Sequence, residues 1–231
     1  MTEAEPFRSG KYFEHFQNKI GRDHVDKLAQ AYEDTFALLF EHNYPNPLRQ
    51  ESPLVLQMGT AGYSTSATFV DFVQGENPKS RIVIADISSY PLTDCLVEGL
   101  DTDSAVRFTQ ADALALPFAD NSFDLIETDG LLQFLPDRQQ AFSEWARVLK
   151  PEGMLTTREW LRKKTDFRLT RLAHAVRLLN MNKLGVNPTI PYEEDIQQEL
   201  GNAGFVGTMQ STEGFIYTIL AQKPKQSTRA I

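Results

Sequence analysis

The chain is 231 residues long, 41% hydrophobic and 10% aromatic, which suffices for one well-packed core and is short for two. Its formal net charge of −8 withholds the positive field that gathers nucleic acid or an anionic membrane, so neither is expected as a partner. A lone Cys95, no apolar run near the roughly 18 residues of a spanning helix, and an opening (MTEAEPFRSGKYF) without signal-peptide character make a reduced, cytoplasmic setting the expectation.

In chain order, the first periodic stretch is HVDKLAQAYEDTFALLFEH. It places Val25, Leu28, Tyr32, Phe36 and Leu39 on one helical face, predicting a helix docked on a sheet or over its mouth. Residues 1–50 are read as an N-terminal helical cap, in which Phe7, Tyr12, Phe13 and Phe16 are candidate aromatic staples. PNPLRQESP is the linker into the first strand. Strands are predicted at Pro53–Met58, Arg81–Asp86, Val106–Gln110, Phe123–Thr128 and Gly153–Glu159, with helices at Ser64–Val73, Pro91–Leu100 and Pro136–Leu149 between them. This alternation is the signature of an α/β, three-layer domain over residues 51–223, a mostly parallel sheet with helices on both faces. Past Tyr192, YEEDIQQELGNAG predicts a further helix. The strands FVGTMQST and FIYTILAQ follow, separated only by Glu213 and Gly214 and therefore antiparallel neighbours. Residues 224–231 read as a disordered tail, and no internal repeat is visible.

An open parallel sheet binds ligands beyond the carboxyl ends of its strands. After the first strand, Gly59, Thr60, Ala61 and Gly62 form a small-residue turn, and Ser64 and Thr65 are candidate caps of the next helix, leaving backbone N–H groups for a ligand. At the end of the second strand stands Asp86, 27 residues beyond Gly59, where a carboxylate can accept from both hydroxyls of a ribose. Asp112 and Ala113, after the third strand, offer an acceptor and a backbone donor to an amino-purine edge.

The stretches VLQMGTAG, IVIADIS, QADALALPFADNSFDLIETDGLLQFLPD and EWARVLKPEGML, from about Pro53 to Leu155, resemble the successive motifs of class I S-adenosylmethionine-dependent methyltransferases. The small-molecule group of menaquinone and ubiquinone C-methyltransferases is the most similar. The resemblance implies a Rossmann-like sheet of seven strands, the last antiparallel, and S-adenosylmethionine as cofactor, leaving as S-adenosylhomocysteine. It implies Gly59 to Gly62 as the methionine-side loop with Gln57 beneath it, and Asp86 with the adjacent Ile87 at the ribose. Asp112 and Ala113 then meet the adenine, Thr128 and Asp129 lie beside the transferable methyl, and Tyr12 is an N-terminal aromatic over the cofactor. Two features depart from the pattern. Gln57 stands where the family has an acidic residue, which gives up a charge attraction to the cofactor's ammonium, and Ala61 and Tyr63 stand at the second and third glycines unless Gly62 takes over by shifting the turn.

Methyl transfer from a sulfonium is an in-line displacement, so the enzyme's work is to hold nucleophile and methyl together and exclude water. A base is needed only where the acceptor loses a proton. Asp129 is the candidate, with helix capping or orientation as its other reading. His174 is the rival, but it points away from the apolar face of Leu169, Leu172, Val176 and Leu179. Arg158 to Lys183 carries eight basic residues against Glu159 and Asp166, leaving −14 on the remainder. Over residues 160–190 the resemblance implies a substrate lid, where Arg158, Arg162 and Arg168 would attract an anionic acceptor. A solvated amphipathic helix is the plainer reading. Asp124 reads as structural, and Glu127 as a buried pairing or cofactor-side group. No spacing of cysteine, histidine and carboxylate suggests a metal, and neither a P-loop nor a nicotinamide fingerprint is present.

The reading is of an enzyme that methylates a small, partly apolar metabolite at carbon, oxygen or nitrogen. The alternatives are a cyclase or isomerase using the cofactor as a fixed cation, and a non-catalytic partner of another methyltransferase. Oligomeric state carries no signal in the sequence.

Overall fold

Leu54–Met58 (β1), Arg81–Asp86 (β2) and Phe123–Asp129 (β4) are short aliphatic runs buried on both faces, as central parallel strands must be. A computed structural model describes residues 22–60, 62–100, 104–163, 188–213 and 216–225. In it these strands join β3 (Val106–Gln110), β5 (Leu149–Trp160), β6 (Val206–Glu213) and β7 (Ile216–Gln222) in one sheet of order β3-β2-β1-β4-β5-β7-β6. β1 to β5 pair in parallel, and β7 runs antiparallel to both β5 and β6, so the expected mixed sheet with one reversed strand is present.

Helices cover both faces because alternate strand residues present apolar groups to each. One face is α4 (Arg138–Val148) and α5 (Glu193–Asn202): Phe142, Trp145, Ile196 and Leu200 pack on Leu56, Ile126, Leu155 and Ile219. On the other, α1 (Arg22–Glu41), α2 (Tyr63–Glu76) and α3 (Ser89–Val97) bring Leu28, Tyr32, Phe36, Leu39, Phe69, Val73 and Leu92 onto Val55, Ile82, Ile84, Leu125 and Met154. The predicted docking of the first helix on the sheet is thus realised through its apolar stripe. Tyr32 stacks between Phe69 and Phe72 of α2, with ring centroids 5.4 and 5.7 Å away. Among the described residues no helix is long and apolar enough to cross a membrane.

Several boundaries differ from the sequence reading: the helices run Tyr63–Glu76, Ser89–Val97 and Arg138–Val148, with Asp137 as the cap of the last in place of an opening proline, and two strand limits matter most. β5 begins at Leu149, directly after α4, rather than at Gly153, and runs through KPEG with a register shift opposite Phe123 and Leu125. Pro151 cannot extend a helix, Glu152 takes φ +65°, and a Cβ on Gly153 would meet the Lys150 carbonyl at 2.8 Å, so the chain bends within the strand. Glu213 is the last residue of β6 and pairs with Ile216 rather than belonging to the turn.

The turn after β4 is held from below. Glu159 of β5, fully buried, accepts the N–H groups of Leu131 (2.9 Å) and Leu132 (3.1 Å) and the Thr157 hydroxyl (3.0 Å), all through Oε1. Burial pushes its carboxyl up to about 8, against those hydrogen bonds, which favour the ionised form.

Phe142 is completely buried and edge-on to Trp145, with centroids 5.3 Å apart, so Phe142→Ala is expected to cost about 3–5 kcal/mol in urea unfolding. The raised Glu159 carboxyl binds its proton more tightly in the folded chain than in the unfolded one. Its contribution is fully present below the ordinary value of 4.5 and is lost as pH rises through about 8. Urea midpoints are therefore expected to fall from about pH 5 to about pH 8, and Glu159→Gln to reduce that fall by at least about 1 kcal/mol.

Candidate functional site

The loop after β1 is shaped by two glycines. Gly59 adopts φ +81°, donates its N–H to Ala85 at 2.8 Å, and sits so close under Leu131 that a Cβ would lie 3.0 Å from that side chain. Gly62 adopts φ +124° and is the N-cap of α2, so the left-handed freedom falls one residue before Tyr63, which is already helical and half-buried. Ala61 lies outside the described residues. Ser64 and Thr65 do not cap the helix as expected. They lie inside its first turn, where the Thr65 hydroxyl donates back to the Gly62 carbonyl at 2.9 Å. The cap comes instead from α3, whose Asp94 carboxylate accepts the Tyr63 N–H at 2.7 Å.

A buried hydroxyl chain ties this loop to its strand. Thr60 Oγ1 accepts the Gly62 N–H at 3.1 Å and lies 2.5 Å from Ser66 Oγ, which hydrogen-bonds Gln57 Oε1 at 2.8 Å. Gln57 is only 4% exposed.

Asp86 closes β2. It is buried, accepts the Ser88 N–H through Oδ1 at 2.8 Å, and is pushed up to about 7 by burial, while the Ser88 and Ile87 N–H groups pull the other way. Half-buried Ile87 is fixed through its carbonyl, which accepts from Gln110 Nε2 at 2.9 Å. Asp112, after β3, is exposed and accepts the Leu114 N–H at 2.9 Å, with Ala113 buried beside it. Neighbouring strand ends are linked by the bond from Gly59 to Ala85 and by another from Ala111 N–H to the Asp86 carbonyl (2.9 Å). The fold thereby sets Gly59, Asp86 and Asp112 in succession along one rim.

The other half of the rim is the end of β4 and β5. Thr128 is buried, whereas Asp129 is exposed and bound by Arg158 Nη2 at 2.8 Å. Neither member of that pair is a free base or a free anion trap. Arg162 is likewise engaged: its guanidinium lies 4.4 Å over the Tyr192 ring, and its backbone N–H donates to Pro191. Tyr12, Arg168 and His174 lie outside the described residues. Asp124 stands at the opposite end, where its Oδ2 accepts from Leu54 N–H (2.8 Å) and Lys150 Nζ (2.7 Å).

Among the described residues, five of the eight buried polar atoms without a hydrogen-bond partner belong to β4, β5 or the turn after β4: Glu127 Oε2, Thr128 Oγ1, Thr156 Oγ1, Glu159 Oε2 and Gln133 Oε1; the others are Arg162 Nε, Ser80 Oγ and Trp145 Nε1. Two further participants are Tyr32 and Glu127, the latter read from the sequence as a buried pairing or cofactor-side group. Tyr32 was read only as part of an apolar stripe. Its phenol is held well above its usual range by burial first and then by Glu127 and Asp129. Glu127, pushed up to about 8 by burial and then by Asp129, shares the Gln57 amide with it. Its signal in the sequence was an acid among the residues of a buried strand.

Residues 56–157 match the family described as Methyltransferase domain. The Hahella chejuensis ubiquinone/menaquinone biosynthesis C-methyltransferase is 39% identical over 85 residues, 36% of this chain and 34% of that protein. The chain spans 34% to 62% of the length of the first curated relatives it matches. Among solved structures, the YcgJ protein of Bacillus subtilis superposes with a TM-score of 0.64 at 16% identity, over 84% of this chain and 99% of that one. The 4+2 cyclase SpnF gives 0.63 at 18% identity, over 85% and 82%. Both structural likenesses concern the fold. Domain and relatives together support a methyltransferase domain over residues 56–157 that resembles the S-adenosylmethionine-dependent ubiquinone and menaquinone C-methyltransferases.

Proposed function

We propose that the chain binds S-adenosylmethionine along the rim of β1 to β4 and transfers its methyl group to a small, partly apolar acceptor. The observation that carries this reading is the succession Gly59, Asp86, Asp112 along three adjacent strand ends, beside unpartnered polar atoms on β4. The residues fit the cofactor: Gly59 and Gly62 give the loop its positive-φ turns, Asp86 offers acceptors to a ribose, and Asp112 with Ala113 faces an adenine edge. Thr128 presents a buried hydroxyl without a partner among the described residues.

When bound, the sulfonium supplies an electrophilic methyl group whose transfer leaves a neutral thioether and needs no acid. What the chain supplies is position and dryness. Tyr32, Phe36 and Phe69 roof one face of the sheet, and Leu131 closes over Gly59. Asp129, held 2.8 Å from Arg158, is read as an orienting group. Segment 160–190 is proposed to enclose the acceptor, in line with its position directly after β5.

Calorimetry with S-adenosylmethionine and S-adenosylhomocysteine tests the binding, and an inert titration at millimolar ligand overturns it. Methyl-labelled cofactor then tests transfer. Label in a product supports the methyltransferase, while a product formed without label moves the chain to the chemistry that SpnF's name states. Asp86→Ala is expected to weaken cofactor binding by about 1–3 kcal/mol through lost charged hydrogen bonds, and unchanged affinity removes the ribose assignment.

A further inference from the structure

The parallel register between β1 and β4 pairs Gln57 with Glu127, and that between β4 and β5 pairs Glu127 with Thr156, so the three side chains form one row on one face of the sheet. Glu127 is 5% exposed, and among the described residues its Oε2 has no partner. Among the described residues, the groups that act on it come from four elements. From α1 comes the Tyr32 phenol, from β1 the neutral Gln57 amide, and from the same strand Asp129, a second acid. From β5 come Glu159, a third acid on the opposite face, and Arg158, whose guanidinium is bound to Asp129. A buried acid with one open oxygen and its nearest cation already paired is arranged to meet a cation from elsewhere.

The position where the resembled family carries its acid is Gln57, one strand away in register. We infer that Glu127 has taken over from Gln57 as the anionic partner of the cofactor's primary ammonium, a role that rests on the cofactor reading above. On binding, the carboxyl loses its proton to solvent and the resulting carboxylate pairs with the ammonium, so charge balances within the site. The raised Glu127 carboxyl, about 8, is the state expected before that cation arrives.

The test uses the full chain and three ligands. S-adenosylmethionine carries ammonium and sulfonium, S-adenosylhomocysteine keeps only the ammonium, and 5′-methylthioadenosine keeps the nucleoside and has neither. Glu127→Gln, which imitates the protonated acid in shape, is expected to weaken the first two alike by about ten- to a hundredfold and to leave 5′-methylthioadenosine within about twofold. Calorimetry at neutral pH in buffers of differing ionisation enthalpy is expected to show proton release with S-adenosylhomocysteine that Glu127→Gln diminishes. Any release from Asp86 persists with 5′-methylthioadenosine and is thereby separated. The double variant Gln57→Glu with Glu127→Gln returns the acid to β1 and is expected to recover the affinity. Unchanged S-adenosylhomocysteine binding in Glu127→Gln, or an equal loss for 5′-methylthioadenosine, overturns the assignment and leaves the cofactor reading standing. A native chain that binds none of the three overturns both.

Discussion

In-register pairing of parallel strands governs the rest of this molecule. Because β1, β4 and β5 run side by side in one direction, residues at equal depth share a face, and the chain has polar groups at the same depth on all three: Gln57, Glu127 and Thr156, then Asp129 and Arg158. α1 turns its apolar stripe, with the Tyr32 phenol in it, toward this face of the sheet. A row of polar groups beneath an apolar helix must be satisfied from within itself, from the loops or from a ligand. Among the described residues, Glu127 Oε2 and Thr156 Oγ1 are the members of the row left without a partner.

The energetics follow from the placement. Among the described residues, the unpartnered atoms of Glu127, Thr128, Thr156, Glu159 and Gln133 lie on β4, β5 and the turn after β4, where a bound ligand would complete hydrogen bonds, and a ligand that binds only the folded chain raises stability by mass action. The rigid parts lie elsewhere: Arg147 gathers the Leu116 and Phe118 carbonyls with Glu144 and Asp120, and Arg138 grips Glu199 between α4 and α5.

The strands were legible because aliphatic runs bounded by turn residues leave few other structures open, and β2 and β3 fell on their predicted residues. The glycine shift was legible too, since Gly62 is the one residue near Tyr63 able to take positive φ without strain. What the sequence hid was pairing across strands. Asp129 and Arg158 are 29 residues apart and meet only because the register aligns them, so two residues each proposed as free groups neutralise one another. The capping of α2 by Asp94, 31 residues from Tyr63, was hidden for the same reason. Local patterns report elements, whereas charge partners are set by topology.

That distinction bears on Gln57. Taken alone it is a loss, an amide where the resembled pattern has an acid. Beside Glu127 it is a necessity: a carboxylate at Gln57 would face a second carboxylate at cross-strand distance in a buried row, and like charges so placed are destabilising. The amide instead takes the Ser66 hydroxyl on its oxygen and leaves its nitrogen side toward Glu127 and Tyr32, which only a group with both donor and acceptor can do. Glutamine on β1 and glutamate on β4 are therefore one feature of the chain rather than two. A lineage that restored the acid at Gln57 without removing the one at Glu127 would have to keep one of them protonated, and a site with a proton fixed in it could not answer a cation in the same way.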